Sequence, residues 1–178
     1  MSDKKLPALS PAEDLALALG FALGGWNKVE AELFQLYMVL CRAGVGPNAA
    51  NTIYETLIHI EVKLNVLAAL VKLRFDASSE TFKTWSTLEN KLRRRAKNVR
   101  NKLAHWPIWG NQDGSDYFIN PQLLVPSLKK RREFGKPHTG AMRAKDLHEH
   151  SDRFRELSEE VRKFTEDAIR SLRDRSRA

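Results

Sequence analysis

Residues 82–105 read FKTWSTLENKLRRRAKNVRNKLAH. The apolar side chains Phe82, Trp85, Leu88, Leu92, Ala96, Val99 and Leu103 recur at threes and fours. That is the period of an α-helix burying one face. Ser78 or Ser79 is available as its N-cap, and Pro107 predicts its end near Trp106, because proline drives the preceding residue out of helical geometry. Between Lys91 and Lys102 the chain places seven basic residues and no acid.

The same spacing continues outward in both directions. Ser10, Pro11 and Glu13 make a helix start, with serine as cap, proline at the first helical position and a carboxylate three residues on. Leu15, Leu19, Leu23, Trp26, Val29, Leu33, Leu36 and Leu40 then form a stripe predicted to run as one helix to about Gly44. Gly20, Gly24 and Gly25 weaken that helix, or mark a close helix–helix contact. A second helix is predicted from about Asn48 to Phe75 on Ile53, Leu57, Ile60, Leu64, Leu67 and Val71. A last one is predicted from Lys145 to Arg173 on Leu147, Phe154, Leu157, Val161, Phe164, Ala168 and Leu172. Before it, Trp106–Trp109 and Tyr117–Ile119 flank Asn111-Gln112-Asp113-Gly114, a hairpin signal, and an irregular stretch comes next.

The expected architecture is therefore all-α: a four-helix up-and-down bundle with a small hairpin and irregular insertion at 106–143. One domain spans 10–174, between a flexible tail at 1–9 and a short one at 175–178. The 178 residues suit a single core, and 42% hydrophobic against 29% charged composition argues against disorder. A single cysteine, Cys41, rules out a disulfide framework and a cysteine-based zinc site. No apolar run approaches a membrane span. Leu15–Leu23 is too short and follows two acids, so it reads as folded helix rather than as a secretion signal. The expectation is a soluble, cytoplasmic protein.

Its net charge of +8 is uneven: −1 over residues 1–76, +8 over 77–140 and +1 over 141–178. Such a focused positive region attracts polyanions, since Lys and Arg displace the counterions of phosphates. It sits on the helix that ends Arg100-Asn101-Lys102-Leu103-Ala104-His105. Four residues advance about 40° beyond one turn, so Asn101 and His105 share a face that Arg100 can reach. A guanidinium holds phosphate through paired hydrogen bonds, an imidazole moves protons near neutrality, and an amide orients either partner. These are parts for phosphodiester chemistry. Arg-x4-His alone is a weak signal, matched also by Arg143 and His148; asparagine directly after the arginine lowers the chance expectation to about 0.02.

RNKLAH on the penultimate helix of such a bundle resembles the Arg-Asn-x3-His signature of the HEPN superfamily, and the order of elements agrees from about Pro11 to Asp174. The resemblance implies a helical homodimer in which two motifs meet. It further implies a metal-independent endoribonuclease of the kind found in toxin–antitoxin, phage-defence and RNA-processing systems. In it His105 is the acid–base residue, Arg100 neutralises the scissile phosphate, and Asn101 orients His105 or the ribose. The 2′-hydroxyl attacks its own phosphate and leaves a cyclic end, with no metal or other cofactor. Some members bind RNA or nucleotides without turnover. Another subgroup carries a tyrosine two residues beyond the histidine that a partner nucleotidyltransferase modifies; here that position is Pro107, which argues against this variant. The remaining reading is a helical scaffold whose motif is incidental.

Neighbouring residues take supporting roles. Arg93, Lys97 and Lys102 extend the basic face as phosphate contacts, and Lys129, Lys130, Arg131 and Arg132 are placed to fold over bound RNA. Glu30 lies on the inner stripe of the first helix and needs a partner, either Arg100 or Lys63. Trp106 and Trp109 either stack on bases or pack the hairpin. His59, His138, His148 and His150 follow no metal-binding pattern.

Overall fold

The computed structural model describes residues 8–41, 46–111, 113–120, 137 and 140–175. The chain is mostly helical: α1 (Pro11–Cys41), α2 (Pro47–Thr56), α3 (Ile60–Arg74), α4 (Glu80–Arg95), a π-helical turn (Ala96–Arg100) leading into α5 (Asn101–His105), and α6 (Ala144–Arg175). Strands β1 (Ile108–Gly110) and β2 (Tyr117–Ile119) form an antiparallel hairpin with Trp109 opposite Phe118. The all-α class holds. Among the described residues no helix is long and apolar enough to cross a membrane.

The predicted caps are in place. Glu13 accepts from the Ser10 hydroxyl at 2.7 Å and from its backbone N–H at 2.8 Å. These bonds, backbone first, hold the Glu13 carboxyl below its usual pKa. Ser79, rather than Ser78, caps α4 through the Phe82 N–H. Trp106 takes extended backbone (ψ 132°) ahead of Pro107 and ends α5.

The helix predicted over 48–75 is two helices. Leu57, Ile58 and His59 break it, and Tyr54 and Lys63 show why. The Tyr54 ring packs on Phe34 and Tyr37 of α1, with centroids 5.2 and 5.0 Å away, while Lys63 Nζ lies 4.9 Å from the Tyr54 centroid. Nine residues of straight helix would separate the two by about 13 Å. Folding back at 57–59 lets both α2 and α3 bury against α1.

This break changes the helix directions. Glu30 meets Lys63 and the Leu40 carbonyl meets Arg74, so α1 and α3 run parallel. Thr81 meets Ser171, Trp85 meets Phe164 and Lys91 meets Glu160, so α4 runs antiparallel to α6. The Ser151 hydroxyl donates to the Phe21 carbonyl, and Trp26 packs edge-on against Phe154, so α1 and α6 run parallel. A strictly alternating bundle would make its first and last helices antiparallel. The expectation of four alternating helices is therefore corrected: the break at 57–59 adds a helix, so α3 runs parallel to α1 and α6 while α4 runs against them.

The interface of α1 with α6 is the most extensive, and Gly25 sits within it. A Cβ at Gly25 would lie 3.2 Å from both the Phe154 Cβ and the Ser151 carbonyl oxygen. Gly20 and Gly24 face open space. The core runs from Leu15, Trp26, Leu33 and Leu36 through Leu64, Leu67, Trp85 and Leu92 to Phe154, Val161 and Phe164, all nearly inaccessible to solvent.

Candidate functional site

Burial of Leu88, Leu92, Ala96, Val99 and Leu103 keeps one face of the penultimate helix against the core from α4 to α5. Within that run the π turn covers Ala96–Arg100 and ends on the first motif residue. A π turn adds one residue to the helical repeat, rotating the downstream residues by about 100° relative to a straight helix, and such turns are frequent at functional sites.

Arg100 is half-buried, whereas Asn101 and His105 are exposed. Arg100 Nη1 lies 3.4 Å from Asn101 Oδ1. Arg100 and Asn101 thus touch at the end of the helix, and His105 stands exposed four residues further on, its ring outside the hydrophobic interior. Lys102 sits beside them, its Nζ 4.9 Å over the Trp106 ring. Trp106 packs its other surface on the core, and Trp109 is half-buried in the hairpin. Trp106 therefore acts first as packing. Among the described residues no carboxylate pairs with Lys97, Arg100 or Lys102.

Arg93 is placed differently. The π turn brings Arg93 and Asn101, about 80° apart on a straight helix, to within about 20°. Arg93, however, pairs with Glu61 and Glu89 and donates to Asn65 Oδ1 at 2.8 Å. Burial opposes its charge, but the bonds and charges of Glu89 and Glu61 prevail and raise its pKa. It fastens α4 to α3 and is not free as a phosphate contact. Since Glu61 lies in the first turn of α3, the chain beyond Arg93 runs past the start of that helix, leaving Lys97 and Asn101 exposed.

Glu30 takes the second of its two expected partners. Lys63 Nζ lies 3.0 Å from Oε2, and Trp26 Nε1 donates to Oε1 at 2.6 Å. These contacts give Glu30 a structural role: it ties α1 to α3. Nearby, the buried Tyr54 hydroxyl has no hydrogen-bond partner among the described residues, and burial, followed by the Glu30 charge, raises its pKa. Lys129, Lys130, Arg131, Arg132 and His138 lie outside the described residues. The flanks of that stretch meet, with Ile119 and Met142 exchanging backbone hydrogen bonds of 2.9 Å and Arg143 pairing with Asp116.

Sequence reasoning missed one feature. The N-terminal half of α6 lies across from the π turn, and between them is an open cleft of 360 Å³ lined by Asn98, Val99, Lys102, Met142, His150 and Arg153, among others. Nothing in the spacing of His150 reveals this, because the cleft exists only once two distant helices are apposed. His150 Nδ1 is buried there without a hydrogen-bond partner among the described residues. Burial, followed by the charges of Arg153 and Arg95, holds the His150 pKa below the usual imidazole value. Among the described residues no group of three His, Cys, Asp or Glu is arranged to hold a metal. Comparison with known protein families, characterised proteins and solved structures finds no match.

Proposed function

We propose that this protein is a metal-independent endoribonuclease of HEPN type, acting through Arg100, Asn101 and His105. The observation that carries the reading is the grouping of these side chains at one helix end: the guanidinium lies against the amide, and amide and imidazole project to solvent on one face. Arg100 receives the scissile phosphate and offsets the charge that builds on it during attack by the neighbouring 2′-hydroxyl. His105 takes the hydroxyl proton or returns one to the leaving 5′-oxygen. Asn101 holds Arg100 in position and faces the ribose. Lys97 and Lys102 bind flanking phosphates.

One imidazole cannot serve as acid and base in the same step. Two copies related by a twofold axis supply one for each role, so the working form is a homodimer with motifs facing each other. The test is incubation of single-stranded RNA with wild type in excess EDTA, followed by end-group analysis. Cyclic phosphate ends are expected, reduced at least about 100-fold by His105→Ala, from a protein that is dimeric at micromolar concentration. Intact RNA, or a monomer, overturns it.

A second reading, RNA binding without turnover, is favoured by Lys97, Arg100 and Lys102, which no described carboxylate neutralises. It predicts salt-sensitive binding and no cyclic product.

A further inference from the structure

The cleft between the π turn and α6 adjoins the motif through Lys102. Around the axis of α5, Asn101, His105 and Lys102 fall at about 0°, 40° and 100°, so the histidine lies between the asparagine and the lysine that lines the cleft. We propose that this cleft is a base-recognition subsite, taking an unpaired RNA base next to the nucleotide held at Arg100 and His105. The inference rests on the reading of that face as an RNA site.

Its walls suit a flat, neutral, hydrogen-bonding ring. Val99 and Met142 supply an apolar surface, each only 5–6% exposed. The 360 Å³ volume is at the lower end of ligand-sized cavities. Charges in the lining balance, with Lys102 and Arg153 against Asp146 and Glu149. Asp146 already accepts the Arg143 backbone N–H at 2.9 Å, and Glu149 lies 3.5 Å from Arg153. A bare phosphate gains little from such a balance, whereas a base needs donors and acceptors. Asn98 offers both, and a neutral imidazole has one donor and one acceptor nitrogen. Burial and the two nearby arginines disfavour the charged form of the His150 ring that lines the cleft. Lys102 at the mouth is positioned for the adjoining phosphate.

The experiment measures affinities of wild type and His105→Ala for the four nucleoside 5′-monophosphates, and for the four matching 2′-O-methyl tetranucleotides, which lack the attacking hydroxyl. One base is expected to bind about tenfold more tightly than the weakest, as for one buried hydrogen bond gained or lost. His150→Phe and the exposed Asn98→Ala should each shrink that ratio, and circular dichroism checks that both variants are folded. Equal affinity for all four bases, or an unchanged ratio in the folded variants, overturns the proposal. A preference among mononucleotides that vanishes in the tetranucleotides overturns the RNA assignment and leaves a site for free nucleotides. Discrimination with no cleavage by wild type sinks the nuclease reading alone; cleavage without discrimination sinks this one alone.

Discussion

Lys63 on α3 reaches across to Glu30 on α1, ammonium to carboxylate at 3.0 Å, with side chains only 14% and 26% exposed. The same carboxylate accepts from Trp26. Glu30→Ala leaves two largely buried donors without an acceptor, and unfolding in urea should show a loss of about 1–3 kcal/mol. Glu30→Gln, which can still accept from Trp26, should lose less. A midpoint unchanged in both variants would mean the pair contributes nothing to stability.

The three glycines of α1 should separate cleanly. Gly20→Ala and Gly24→Ala add a methyl group where nothing lies within 4 Å. Each should raise stability by up to about 1 kcal/mol through helix propensity and a less free unfolded chain. At Gly25 the new methyl meets a β-carbon and a carbonyl oxygen of α6, neither of which moves without its backbone. Gly25→Ala should therefore destabilise by about 1 kcal/mol or more. Thermal melts of the three variants test the order.

Arg93 and Lys97, four residues apart, should behave oppositely. Arg93→Ala removes ties to Glu61, Glu89 and Asn65, and should cost about 1 kcal/mol of stability while leaving the salt dependence of RNA binding unchanged. Lys97→Ala should leave stability within about 0.5 kcal/mol and lower the slope of log K against log salt by about one. Binding titrations at several salt concentrations, beside urea melts, distinguish them.

Acid should weaken the fold through His150. In the fold, burial and the charges of Arg153 and Arg95 depress its pKa, with Asp146 and Glu149 opposing. Below about pH 6.5 the unfolded chain therefore takes up the proton more readily than the native one. Stability falls as pH drops through that value, and this loss levels off below the folded pKa. His150→Gln should flatten the stability curve between pH 7 and 5, measured by urea unfolding at each pH. A slope equal to that of wild type would rule His150 out as its source.

The long helices α1 and α6 and the Ser10 cap were legible because their signals are local: an apolar period, a serine and a glutamate at the right offset. The break at 57–59 was not, since Leu57 and Ile58 continue the apolar run and neither glycine nor proline marks the spot. Its cause is tertiary, in the stacking of Tyr54 and Lys63 against α1. The π turn was equally hidden, because the apolar spacing from Leu88 to Leu103 fits an ordinary helix. Arg100, Asn101 and His105 could be grouped from sequence since they lie within six consecutive residues of one continuous helical run. The ties of Arg93 to Glu61 and Asn65, and the cleft at His150, depend on helices far apart in the chain.

The wide turn at Ala96–Arg100 works as an index joint in an otherwise rigid rod. Up to that turn Trp85, Leu88, Leu92 and Arg93 are held by their neighbours, and the heading of the distal histidine is set by a single surplus residue. Deleting that residue would swing His105 by about a quarter of a revolution while residues 80–95 stay seated. A lineage could thus re-aim the exposed face of this helix end by an indel of one codon instead of rebuilding the scaffold.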